Sequence, residues 1–337
     1  MKKSLIITLL PSFLLSSETI LSGYIGSESR FYQNPSSTSR EANHAGVANL
    51  GVDYLGDTVE ARFMLETLQD SDENERSFSR IQEGYLTYNS EDMQFRVGRE
   101  ILFWGAMEVN NPSDVINSKD LSHDLFDKES KLGALLWRAS YYLESSQIDL
   151  ITKWHENRQA IGDTKNPYFG AIVPLFNEKL LFEKEPDKPT IFLKYSGSTE
   201  SDYPLDYAIA FMSGYDNLRT LQFTPPASLQ WKSYQVNKFI TFNTWVVDAT
   251  LLKFEATYAD IVNNDFSNLS DYTQTAIGFE HTLEQLFDGN DLGILVEHNQ
   301  FHQFDNKRSP HFDFFNNDLF VGVRLAFNDE DSSEILG

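Results

Sequence analysis

The residues with the most chemistry available to them lie in one stretch, over 102–131. It carries Glu108, Asp114, Asp120, Asp124, Asp127 and Glu129 against Lys119, Lys128 and Lys131. Such a run of carboxylates has three textures of use: general acid–base work, cation coordination, or an electrostatic filter. Acid–base or nucleophilic chemistry needs partners, and these are missing as motifs. The seven histidines are scattered, no HExxH or GxSxG string occurs, and there is no cysteine. A hydrolase assembling Ser, His and an acid from separate segments stays open as a minor alternative. Cation coordination finds no ligand spacing either, and the acidic run 70–75 (DSDENE) reads as a solvated loop tip. No cofactor or metal motif is present. What remains is a field: Arg30, Arg62 and Arg96 fall on the polar faces of alternating segments, and an acidic loop set opposite them orients and filters charged solutes.

The elements that must position these charges read as strands. Met93 opens a segment in which Phe95 and Val97 alternate with Gln94, Arg96 and Gly98, the period-2 pattern of a wall with one apolar and one polar side. From Trp104 onward the pattern stops. Gly105, Asn110, Asn111, Pro112 and Asp114 then punctuate a long ordered loop. Similar alternation recurs about fourteen times, from 21–32 to 318–327, each time over about the 9–11 residues that a tilted strand needs to cross a bilayer. In 77–88, Arg80 and Glu83 take opposite faces unless a β-bulge intervenes. Short connections alternate with long ones, which is the mark of a transmembrane barrel with short periplasmic turns and long outer loops.

Composition agrees. Aromatics make up 14% of 337 residues, with 26 Phe and 15 Tyr, enough for a lipid face and two interfacial girdles. Nothing after residue 15 is long and apolar enough for a membrane helix, so a membrane would be spanned by strands. Lys2 and Lys3 before the apolar run 5–15 form a secretory signal, read as residues 1–17, with the barrel over 18–337. The formal charge of −23 excludes nucleic acid as a partner, because phosphate binding needs a basic face. Partners expected instead are outer-membrane lipids, lipopolysaccharide and small hydrophilic solutes.

Several strings carry a resemblance. Val97-Gly98-Arg99, Phe103-Trp104-Gly105, 114–117 (DVIN), 129–133 (ESKLG), 278–282 (GFEHT), 291–293 (DLG) and 317–329 together resemble a family of uncharacterised Gram-negative outer-membrane barrel proteins, distant in pattern from porins. The resemblance implies an all-β fold, a transmembrane antiparallel barrel of about 14–16 strands, in the cell outer membrane. Counted outward, the loop over 102–131 is the third long one, and in porins the third loop commonly folds into the barrel and sets its constriction; Glu108, Asp114, Asp120, Arg62 and Arg96 are its candidate residues here, and Gly98, Arg99, Trp104 and Gly105 are motif positions of the resemblance. The resemblance supplies no substrate. Barrel proteins usually end on a strand whose terminal aromatic the barrel-assembly machinery reads, whereas this chain ends in Glu334-Ile335-Leu336-Gly337. Phe327 with a short tail, or a sequence cut short, is expected.

Two functions fit. One is a porin-like channel for passive or facilitated passage of small hydrophilic solutes, cationic or neutral. The other is a non-conducting surface barrel serving as receptor, adhesin or scaffold through the long segment 155–189 with Tyr168, Phe169, Phe176 and Phe182. Both require the same topology. A protease-cleavable tag after Gln159 or Lys307 should be cut on intact cells, and one at Asp57 or Ser145 should not; the reverse pattern would invert the wall.

Overall fold

The computed structural model describes residues 4–5, 17–32, 39–121, 130–159, 161–166, 168–182, 188–225, 228–262, 268–286, 289–306, 315–328 and 333–337. Asp124, Asp127, Glu129, Lys128, Lys307, and nearly all of the leader read over 1–17, lie outside them.

Fourteen long strands form one antiparallel sheet in chain order. They are β1 (Glu18–Phe31), β2 (Ala42–Leu55), β3 (Val59–Asp70), β4 (Phe78–Asn89), β5 (Met93–Glu100), β6 (Ala134–Tyr142) and β7 (Ser146–Lys153), followed by β8 (Thr190–Ser198), β9 (Leu205–Tyr215), β10 (Gln235–Val247), β11 (Thr250–Val262), β12 (Tyr272–Leu286), β13 (Asn290–Gln303) and β14 (Asn317–Ala326). Each segment with sequence alternation became one of these strands. Several run further than the alternation suggested, as β10 does by starting at Gln235 and β11 by ending at Val262, because neighbouring strands continue to pair beyond the apolar band. Among the described residues β1 and β14 do not pair with each other. Short strands lie on them instead: Ser4–Leu5 on β1, and Glu334–Leu336 on β14 after a turn closed by the Phe327 amide on Ser333 O.

The wall is inverted relative to a soluble protein. On β14, Leu319 and Val321 are each 66% exposed, while on β11 Glu255 is 1% exposed between Lys253 and Thr257. Leu252, Phe254 and Tyr258 point out from the same strand. Apolar outside and polar inside, with every interior strand hydrogen-bonded on both edges, is what the hydrocarbon demands of a spanning sheet. The fold is a transmembrane antiparallel β-barrel wall. Outer loops L1 (32–41), L2 (71–77), L3 (101–133), L4 (154–189), L5 (216–234), L6 (263–271) and L7 (304–316) alternate with turns of a few residues.

One irregularity decides where charges point. Between β3 and β4 the register shifts, with Met64 opposite Glu83 and Leu65 opposite Ile81, so Gln82 is the extra residue of a bulge. The bulge turns Arg80 and Glu83 to the same, inner face, where Arg80 meets Glu66 at 3.1 Å and Glu83 meets Arg62 at 2.8 Å. Without it one of the two would face outward; for Arg80, two residues from the outer end of its strand, the cost would be toward the interfacial value of about 0–1 kcal/mol rather than the roughly 2–4 kcal/mol of the midplane.

L4 and L5 contribute a small sheet that period-2 reading missed. Ser228–Ser233 pairs antiparallel with Thr220–Thr224 and parallel with Leu181–Phe182. Beneath it, Leu121, Ile161, Phe169, Leu180 and Trp231 form an apolar cluster joined by Phe176 and Phe182. The aromatic side chains of L4 therefore build a cap over the mouth, leaving Tyr168 exposed beside Tyr32.

Deleting Gln82 should remove the bulge and send Arg80 to lipid and Ile81 to the lumen. Assembly yield and heat resistance in detergent should drop, whereas substitution Gln82→Ala, which keeps the backbone count, should retain the barrel. Equal behaviour of the two variants would show that the register does not depend on this residue.

Candidate functional site

L3 leaves β5, turns into the lumen and lands on the opposite wall. Trp104 opens the turn and lies between Phe192 of β8 and Phe242 of β10, each ring 5.9 Å away. Around it Val115, Ile116, Leu136, Ile151, Met212 and Ile240 form an apolar core inside the barrel. This is why an otherwise polar lumen carries Phe192, Met212 and Ile240 on its face: they receive the loop rather than water. Next comes Gly105, at φ +100°, where a Cβ would sit 2.3 Å from a Glu255 oxygen. Only glycine lets the main chain come this close.

The landing is made by two wall carboxylates. Glu255 accepts the amides of Ala106 (2.8 Å) and Met107 (3.2 Å) on one oxygen, and on the other the Ser113 amide (3.2 Å) and hydroxyl (2.6 Å). Glu297 of β13 accepts the amides of Glu108 (2.7 Å) and Val109 (3.0 Å). Thr257 adds a hydroxyl to Pro112 O at 2.8 Å, and Asn110 reaches Asn299 at 3.3 Å. Main-chain amides that no strand can satisfy thus end on buried charge, where each such bond is worth more than a neutral one.

The base of the loop is tied as well. Asn117 accepts the Leu102 amide at 2.9 Å and donates to Glu100 O and Leu132 O at 3.0 Å each. Lys131 pairs with Asp114, donates to Leu102 O at 3.1 Å and lies 3.4 Å from the Phe103 ring centre. Burial pushes the Asp114 carboxyl up, against the pull of Lys131. Gly98 has φ +142°, and a Cβ there would meet Gly84 O at 2.3 Å, while Arg99 donates to Gly133 O at 2.7 Å. The motif positions Gly98, Arg99, Trp104 and Gly105 accordingly shape the strand and loop.

The expected charges divide into three environments. Arg62 lies between Asp53 (3.3 Å) and Glu83 (2.8 Å), all three on the wall. Arg96 bonds Thr87 at 2.8 Å and pairs with Glu100, which Arg138 shares at 3.3 Å. Asp120 is buried and pairs with Arg80, not with Arg62 or Arg96. Glu108 alone of the three loop acids projects well into solvent, with its side chain 50% exposed and 3.7 Å from Lys253. Lys253 also pairs with Glu280. The result is a band of alternating arginine and carboxylate along β2 to β6, solvent-reached at Arg62, Asp53, Arg80 and Glu66, whose side chains are a fifth to a third exposed.

Sequence reasoning did not find the role of Glu255 and Glu297 as anchors. The signal available was weak: each is a lumen-facing acid with no basic residue two positions along its strand other than Lys253. Arg80 and Glu83 share the lumen through the bulge that the sequence left as an alternative. Outside the barrel, Arg40 of L1 joins Glu73 of L2 (3.2 Å) to Asp163 of L4 (2.7 Å), and the Asp163 amide donates to Glu73 at 2.9 Å. Burial raises the Glu73 carboxyl above its ordinary range.

No protein-family model matches the chain, and no curated protein matches it in sequence. Among solved structures it is similar to OprB of Pseudomonas putida, at 11% identity over 92% of this chain and 84% of that one, with a TM-score of 0.46. OmpT, an outer membrane protein of Vibrio cholerae, is 10% identical over 94% of this chain and 84% of that one, with a TM-score of 0.48. OccK5 of Pseudomonas aeruginosa is 9% identical over 97% and 92%, with a TM-score of 0.42. At such identities function has to come from the chain's own geometry.

Replacing Glu255 by Ala should strand the amides of Ala106, Met107 and Ser113, each at about 1–3 kcal/mol when buried. L3 should loosen, seen as a wider, noisier open state in single-channel records. Glu255→Gln should be intermediate, since its NH2 faces donors on one side. A quiet, unchanged record for Glu255→Ala would show that the loop is held otherwise.

Proposed function

We propose that this chain is a porin-like channel of the bacterial outer membrane, passing small hydrophilic solutes with a preference for cationic or neutral ones. The observation that carries the reading is the placement of L3: a loop folded inside a lumen, fastened to the far wall and faced by a band of solvent-reached charges. A loop in that position narrows the lumen, and paired fixed charges in a narrow space act on solutes more strongly than they would in bulk water. Support for the cation preference comes from the formal charge of −23 and from Glu108, whose half-exposed carboxylate leans from L3 into the lumen. The arginines facing it are each matched by wall carboxylates.

Of the L4 aromatics on which the receptor reading drew, Phe169, Phe176 and Phe182 pack with Trp231 and Leu180, and Tyr168 stays exposed. Among the described residues the hydrolase reading has two hydroxyl–imidazole contacts as geometric traces, Thr250 Oγ1 at 2.8 Å from His281 Nδ1 and Ser29 Oγ at 3.0 Å from His44 Nδ1. At the second, the Asp72 carboxylate takes the His44 main-chain amide at 2.9 Å, so it does not orient the ring as a triad acid does.

Reconstituted protein should conduct in planar bilayers, and in a salt gradient its reversal potential should have the sign of cation preference. Glu108→Gln should bring that potential toward zero and Arg96→Gln should move it away. Asp114→Asn with Asp120→Asn should reduce the preference less cleanly, because both acids also hold the loop through Lys131 and Arg80. A membrane left closed after confirmed insertion would refute the channel; anion preference in the wild type would refute its polarity.

A further inference from the structure

Above L3, toward the outer mouth, a cavity of about 120 Å³ lies between L3, L5 and β12, lined among others by Asp114, Asn110, Asn217, Arg219, Trp231 and Gln274. Arg219 is held in place at one nitrogen: Nη2 lies 3.3 Å from Ser118 Oγ and 3.4 Å from Glu156. Its Nε and Nη1 are buried without a hydrogen-bond partner among the described residues, in a side chain only 1% exposed. A guanidinium cannot escape by losing its proton, so these donors remain charged and unmet. Glu156 does not neutralise it fully, since that carboxylate also serves Lys153 at 2.6 Å. On the same cavity, Asp114 gives one oxygen to Lys131 while its Oδ1 is buried without a partner among the described residues.

Among the described residues, two unmet Arg219 donors and one unmet oxygen of the Lys131-paired Asp114 carboxyl therefore line one small space, with Lys119 and Lys131 on its wall. We propose that this cavity is a binding site for a small α-amino acid, whose carboxylate takes the Arg219 donors and whose ammonium takes Asp114 Oδ1. The assignment rests on the channel reading and names the solute class it would pass. Size agrees: about 10–15 Å³ of such space is enough for one water, so a cavity of about 120 Å³ has room for a small amino acid. A simple carboxylate satisfies only Arg219, and a simple amine only Asp114. Both halves of the ligand are needed, because a buried polar group left unpaired counts against the partial ligand.

The test uses the full chain in bilayers and in detergent, with glycine, acetate and methylammonium as probes. Two readouts are taken: solute-induced current blockade, and intrinsic fluorescence with Trp231→Phe to assign the reporter. Glycine should act saturably and at tenfold lower concentration than either half-ligand. Arg219→Gln should raise the glycine concentration required at least tenfold, Arg219→Lys should recover part of the loss, and Asp114→Asn should weaken glycine more than acetate. Equal effects of the three probes, or a glycine response indifferent to Arg219→Gln and Arg219→Lys, would overturn the site even in a conducting channel. Arg219-dependent fluorescence saturation in a protein that does not conduct would uphold the site and remove the channel instead.

Discussion

Everything inside this barrel depends on two carboxylates that accept main-chain amides. Glu255 and Glu297 receive five N–H groups and a hydroxyl from L3 across the lumen. A loop entering a barrel carries a row of backbone donors away from bulk water, and without acceptors that row would drive it back out. Fixed carboxylates solve the problem from both sides, since the same buried negative charges would be untenable on the wall without donors to meet them. Gly105 is part of this arrangement, for a side chain there would collide with Glu255. Trp104 and the apolar patch of β8 to β10 then fix the loop's orientation.

Once the loop is seated against β11 and β13, the remaining lumen is bounded by the charged band of β2 to β6. Its pairs follow a cross-strand logic: Asp53, Arg62 and Glu83 come from three adjacent strands, as neighbours on one face of a sheet must. Such pairs keep the lumen hydrated and prevent any single arginine from dominating the field. Asp120 extends the band onto L3 through Arg80, linking the loop's far end to the wall it faces.

The wall was legible in the sequence because hydrocarbon leaves little choice. Alternation at Leu319, Val321 and Val323, or at Phe95 and Val97, is forced by a bilayer on one side, and loop lengths are sorted by which compartment they meet. Even the bulge was implied, since Arg80 and Glu83 could share a lumen only through an extra residue. The interior was less legible. Asp114 and Asp120 looked like lining charges, yet a one-dimensional pattern carries no record that Lys131 and Arg80 would claim them. Glu255 lies about 150 residues from the amides it accepts, and that pairing exists only once the barrel brings β11 round to L3. The cap strands of L4 and L5 escaped for a related reason: they pack on each other rather than on lipid, so no strict alternation marks them.

The central claim is that L3 resides inside the lumen against β13 in the proposed channel. The chain has no cysteine, so Asn110→Cys with Asn299→Cys, at positions whose side chains touch at 3.3 Å, gives a clean test by a short thiol-reactive bridge. The account predicts efficient bridging and the same single-channel conductance before and after it, because the bridge fixes the loop where it already lies. Failure to bridge, or a conductance that falls when the bridge forms, would place the loop elsewhere in the open state.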